Sequence, residues 1–96
     1  MLYIAFVRNK PRAILDNTEI MAKSRHWWNE GGRPAGLKTL AFYGSLSTET
    51  PDVYVFEAES HEDVRKLIDH WKEVDFDIHP AVDFVEMFRK QGMKVA

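Results

Sequence analysis

Leu2-Tyr3-Ile4-Ala5-Phe6-Val7 alternates in direction without alternating in polarity. Successive strand side chains point to opposite faces, so Leu2, Ile4 and Phe6 share one side and Tyr3, Ala5 and Val7 the other. Both sets are apolar, which is the pattern of a strand covered on both faces. Asp52 to Ala58 repeats it, with Val53 and Val55 on one side and Tyr54 and Phe56 on the other. Two such strands belong inside a sheet, with other matter above and below.

The remaining elements fall between and around these strands. Asn9-Lys10-Pro11 breaks the first one. Asp16 with Glu19 reads as a capping-box variant, and Pro11-Arg12 as an earlier start, for a helix whose Ile20, Met21, Ser24, Trp27 and Trp28 recur at helical spacing. Gly31 and Gly32 stop it. Leu37 to Tyr43 is a second strand, with Lys38, Leu40 and Phe42 on one side and Leu37, Thr39, Ala41 and Tyr43 on the other. Gly44 to Pro51 connects it to the third strand. Ser60 with Asp63 opens a helix whose Val64, Leu67, Ile68 and Trp71 form an apolar stripe at i, i+3, i+4 and i+7. Val74 to His79 is a fourth strand, ended by Pro80. Asp83 with Glu86 caps a short last helix that runs through Gln91 to a stop at Gly92.

Strand, helix, strand, strand, helix, strand is the split βαβ order of the ferredoxin-like α+β fold. Right-handed crossovers put both helices on one side of a four-stranded antiparallel sheet. The first and third strands are then central. The fourth, with Phe76 and Ile78 between polar residues, has the one-sided pattern of an edge. Ninety-six residues make one domain, 1–96. Two helices shelter one face only. Tyr3, Val7, Tyr54 and Phe56 are candidates for the other, although alternation alone does not assign the sets. Burial of that face against a second copy, sheet on sheet, is the simplest way to remove it from water.

Thirteen basic and fifteen acidic side chains give a net charge of -2, which lacks the basic surface that nucleic acid requires. With no cysteine, disulfides, thiolate chemistry and Cys-rich zinc sites are excluded, and the composition fits a reducing compartment. Met1 to Val7 is too short for a signal peptide core, and no apolar run approaches the roughly 20 residues of a membrane span. The expectation is a soluble cytoplasmic protein.

Val55-Phe56-Glu57-Ala58-Glu59-Ser60, leading into Leu67-Ile68-Asp69-His70-Trp71 and then Val74-Asp75-Phe76-Asp77-Ile78-His79-Pro80, resembles the dimeric α+β barrel superfamily. Within it the chain is similar to a group of short proteins of unassigned function. The likeness spans almost the whole chain and contains no catalytic motif. Relatives include muconolactone-isomerase-like enzymes, cofactor-free monooxygenases of polyketide biosynthesis, haem-degrading monooxygenases and stress-response proteins. The resemblance implies a barrel dimer, often with a hydrophobic pocket in each subunit. It implies no particular reaction, because function resides in the site.

His26, Trp27 and Trp28 adjoin at the end of the first helix. One reading makes them a pocket wall, with indoles stacking on an aromatic ligand and His26 as acid or base. The other places one Trp in the core, one partly exposed, and His26 on the surface. Asp77 and His79 share a strand face, where an Asp can orient a His, although a spacing of about 7 Å is long for a direct hydrogen bond. His61 and His70 flank the second helix's stripe on its solvent side. The four His hold no metal-ligand spacing, so no metal or cofactor is expected, and haem binding through one His has no motif behind it. Tyr3, Tyr43 and Arg8 are candidate donors to a bound oxyanion or carboxylate. Glu30 to Gly36 is glycine-rich but lacks phosphate-loop spacing.

Two functions follow. The first is a homodimeric domain that binds a small apolar or aromatic molecule. The second is a cofactor-independent isomerase or monooxygenase acting on an aromatic or polyketide-like substrate. For the second, His79 or His26 would be the base, Tyr43 the donor, and Trp27 or Trp28 the platform, with Arg8 and Tyr3 contacting substrate.

Overall fold

The computed structural model describes residues 1–10, 17–47 and 49–96, without the Asn17 side chain. Its elements are β1 (Leu2–Asn9), α1 (Asn17–Asn29), β2 (Leu37–Tyr43), β3 (Asp52–Ala58), α2 (His61–His70), β4 (Val74–Pro80) and α3 (Phe84–Lys90). The expected helix starts at Pro11, Arg12 and Asp16 lie outside the described residues. The four strands form one antiparallel sheet in the order β2-β3-β1-β4, so the chain has the ferredoxin-like α+β fold. The two strands with apolar residues on both sides are the inner pair, as their patterning requires.

The helices fix which alternate set is core. Tyr3, Ala5 and Val7 of β1 and Tyr54, Phe56 and Ala58 of β3 form one buried cluster with Leu37 of β2, Trp27 of α1 and Leu67 of α2. Tyr3, Val7, Tyr54 and Phe56 therefore face the helices, and their candidacy for the far face is corrected. That face carries Leu2, Ile4 and Phe6 beside Val53 and Val55, all half-buried. Tyr3 stacks on Phe56 at 5.3 Å, and Phe56 on Tyr54 at 4.8 Å, a ladder of rings along the core side.

β2 departs from simple alternation. Its pairing with β3 shifts between Thr39 and Ala41, so Leu40 is an extra residue in a β-bulge. Before the shift Leu37 and Thr39 face the helices; after it Phe42 does, opposite Tyr54. Ala41 and Tyr43 turn to the far face. The expected grouping of Phe42 with Lys38, and of Tyr43 with Leu37, is overturned by this one residue.

The caps form as their sequences dictate. Ser60 Oγ accepts the Asp63 N–H at 3.3 Å, and Asp83 Oδ1 accepts the Glu86 N–H at 3.0 Å. Gly31, at φ +81°, supplies the left-handed turn after α1. In α2, Leu67 is buried and Val64 and Trp71 pack against the core, whereas Ile68 is 44% exposed at the stripe's margin. α3 buries none of its residues.

Candidate functional site

Ile20, Ser24, Trp27 and Trp28 lie at i, i+4, i+7 and i+8, one face of α1. That face stands over the sheet, and the two surfaces do not close completely. Between them is a cavity of about 180 Å³. Its walls are mainly aromatic: Trp27 and Trp28 from α1, Phe42 and Tyr54 from the sheet, Phe76 from β4, and Trp71 just after α2. Trp27 is 1% exposed and holds the floor, while Trp28, at 42%, stands at the rim.

Besides the three indole N–H groups, the polar side chains among the described lining residues are two hydroxyls. Ser24 Oγ donates to the Ile20 carbonyl at 2.8 Å, a bond within its own helix. Tyr54 Oη shares a 2.7 Å hydrogen bond with Thr39 Oγ1. Burial raises the Tyr54 pKa, only partly offset by Thr39 and by the charge of Arg33, so the phenol is a neutral donor at physiological pH. No carboxylate, imidazole or ammonium is among the described lining residues. The site therefore has shape and aromatic surface, with little to fix a charge.

A second layer of groups backs the Trp27–Trp71 wall. Those indoles meet edge-on at 6.2 Å. The His70 ring lies against Trp27 at 4.5 Å and against Trp71 at 5.0 Å, and its other neighbour is the His26 ring at 6.3 Å. His70 is thus half-buried between helices, which corrects its expected place in solvent; its Nε2 is buried with no hydrogen-bond partner. Burial lowers its pKa, and the positive charges of Lys23 and His26 lower it further. Lys23 Nζ reaches both carboxylate oxygens of Glu73 at 2.9 Å and lies 5.4 Å from the centre of the Trp71 ring. Burial pushes the Glu73 carboxyl up, but the Lys23 bond and a backbone hydrogen bond outweigh it, so its pKa falls below the ordinary value.

The other residues singled out from sequence lie elsewhere. Tyr3 is in the buried core, outside this cavity. His26 is exposed, with Nδ1 3.3 Å from Glu30 Oε2. Arg8 is exposed at the end of β1 and donates to the Glu49 carbonyl at 2.9 Å. His79 and Tyr43 are on the far face, on the two outer strands. Three strand spacings, about 14 Å, separate them within one chain. His79 Nε2 stands 2.7 Å from Asp77 Oδ1, both side chains exposed. The expected gap of about 7 Å is the backbone separation; the two side chains lean along the strand and close it. Trp27 and Trp28 meet in the cavity, while His79, His26 and Tyr43 converge neither there nor with one another.

Several wall residues carried no functional signal in the sequence. Trp71, Leu67 and Phe76 read as core, and Phe42, which simple alternation sets beside Lys38, is turned into the cavity by the unforeseen bulge. Tyr54 gave no hint of its bond to Thr39, which depends on strand register. Among the described residues no group of three or more His, Asp or Glu side chains converges as a metal site. No described helix is long and apolar enough to cross a membrane.

No curated protein matches the chain. Residues 1–92 match the family model described as a domain of unknown function, DUF3303, and the chain belongs to that family.

Proposed function

We propose that this chain is a homodimeric domain of the dimeric α+β barrel kind, which binds a small apolar or aromatic molecule beneath α1. The cavity's aromatic lining carries the reading. A dry apolar cavity of about 150 Å³ is enough to take up benzene, so about 180 Å³ suits a molecule of one to two rings. Flat rings on several sides favour a flat ligand, and the Tyr54 phenol offers it one hydrogen bond.

The dimer is the second part of the proposal. Leu2, Ile4, Phe6, Val53 and Val55 leave an apolar strip on the far face, and packing two such sheets about 10 Å apart would cover both strips. A cytoplasmic location belongs to the same reading, on the cysteine-free composition.

Binding is favoured over catalysis because the described lining residues include no carboxylate or imidazole that could serve a bound ligand as base. The isomerase or monooxygenase reading has the Asp77–His79 pair in its support, an imidazole oriented by a carboxylate. That pair faces away from the cavity, so it would act only on a molecule held between two copies.

The test is calorimetric titration with 2-naphthol. The expected result is saturable binding, one molecule per chain, with a negative heat-capacity change. Val74→Phe, which fills the cavity from β4, abolishes it while the far-ultraviolet circular dichroism stays unchanged. Absence of saturable heat, or equal binding by the filled variant, would overturn the proposal.

A further inference from the structure

α3 is a short helix with an apolar arc and no core beneath it. At 100° per residue, Met87, Phe84, Phe88 and Val85 span about 160° of its circumference, and Glu86, Arg89 and Lys90 take the rest. Phe84 and Phe88 stack at 5.8 Å, forming one ridge along that arc. A stripe of this kind normally faces a core, yet Phe84 is 59% and Phe88 38% exposed, and Val82, Val85, Met87 and Met93 are exposed with them. The radius of gyration, 15.2 Å, exceeds the roughly 12.5 Å of a compact chain of this length, and the longest dimension is 49 Å.

Area decides what covers this helix. On the far sheet face Leu2, Ile4, Phe6, Val53 and Val55 are half-buried by their own neighbours, and together with the exposed Tyr43 they offer on the order of 300 Å² of apolar surface. A stable interface takes about 800 Å² from each partner, of which about 60%, or roughly 480 Å², is apolar. The apolar side chains on and beside α3 expose on the order of 600 Å², with 150–250 Å² taken for a whole large side chain. Sheet face and helix together offer on the order of 900 Å², which exceeds the required apolar area; the sheet face alone falls short of it.

We propose that α3 is a clasp that closes on a second copy of this chain, with the Phe84–Phe88 ridge as its anchor. This rests on the sheet-face dimer proposed above, and it adds the element that makes that dimer stable. Two-fold symmetry makes the clasp reciprocal, so each copy both gives and receives one. A ridge of two aromatic rings at i and i+4 has the form of a helix-in-groove anchor.

The experiment is light scattering of the full chain at micromolar concentration, with three variants. Wild type is expected at twice the 11.2 kDa chain mass. Phe84→Glu with Phe88→Glu is expected to raise the dimer dissociation constant more than about tenfold, the effect of losing a buried aromatic anchor. The core cluster contains no α3 residue, so its circular dichroism and chemical unfolding should remain those of a folded domain. Lys90→Gln, on the polar arc, should leave the mass unchanged. Val55→Glu tests the sheet face separately. If Val55→Glu dissociates the dimer and the double variant does not, the clasp is refuted and the sheet-face reading survives. A monomeric wild type, or α3 packed on its own chain's groove around Ile68 and Ile78, would also refute it.

Discussion

The His70 imidazole lies 4.5 Å from the Trp27 indole, with its Nε2 sealed from water and unbonded. A proton added to this ring would place a charge in a half-buried site near the Lys23 ammonium and His26, which outweighs the opposing pull of the Lys23 backbone and the Glu73 carboxylate. The structure therefore holds His70 neutral, with a pKa below the ordinary 6.5.

The sign of the pH dependence follows. The unfolded chain takes up the proton near pH 6.5, the folded chain only at lower pH, so between these points unfolding binds protons. Stability is full above about pH 7 and falls as the pH drops through 6.5 toward the lowered value. Urea unfolding across this range should show the loss in wild type, and His70→Phe should flatten it. Glu73, whose pKa is lowered, adds a separate loss at pH values below the ordinary carboxylate range. An unchanged slope in His70→Phe would contradict the assignment.

Lys23→Met removes both the ion pair with Glu73 and the cation above Trp71. The paired side chains are about three-quarters buried, so the loss at neutral pH should be about 1 kcal/mol, and salt should diminish it. It also removes one of the charges that hold down the His70 pKa, so the slope of stability between pH 7 and 5 should become shallower. Thermal denaturation at two ionic strengths measures the first effect and the pH series the second.

The adjacent tryptophans should behave differently. Trp27→Ala empties a fully buried site and should destabilise the domain by about 3–5 kcal/mol. Trp28→Ala trims the cavity rim, should change stability by less than about 1 kcal/mol, and should weaken 2-naphthol binding. Equilibrium unfolding beside calorimetric titration separates the two.

The two helix caps should also diverge. Ser60→Ala should lower global stability by about 1 kcal/mol, because α2 carries the buried Leu67. Asp83→Ala removes an equivalent bond from a helix with no core residue. It should speed amide exchange within 84–90 while the global unfolding midpoint, measured in the Val55→Glu background, stays in place.

Those differences mark how far the sequence could be read. Strand and helix order, the inner position of β1 and β3, and the caps at Ser60 and Asp83 were legible because each rests on residues near one another in the chain. The faces of β1 and β3 were not, since a period of two assigns side chains to sets and only Trp27 and Leu67, packed from above, say which set is inside. The bulge at Leu40 has no Gly or Pro to announce it, so Phe42 and Tyr43 changed faces unseen. The adjoining Trp27 and Trp28 left two readings open, a pocket wall or one core and one partly exposed indole, and His70 was not foreseen, because its burial depends on α1 laying Trp27 against it. Met21, grouped with the inner face of α1, is instead exposed.

The strand order also governs when this domain can acquire its shape. β1 emerges from the ribosome before either strand that flanks it, and its partners are residues 52–57 and 74–80. Until the later segment is synthesised, an apolar strand waits with one or both edges open. Such distant pairing slows folding and leaves the nascent strand available to other chains. Rapid translation through β4, or a chaperone held on Leu2–Val7 until then, would shorten that exposure.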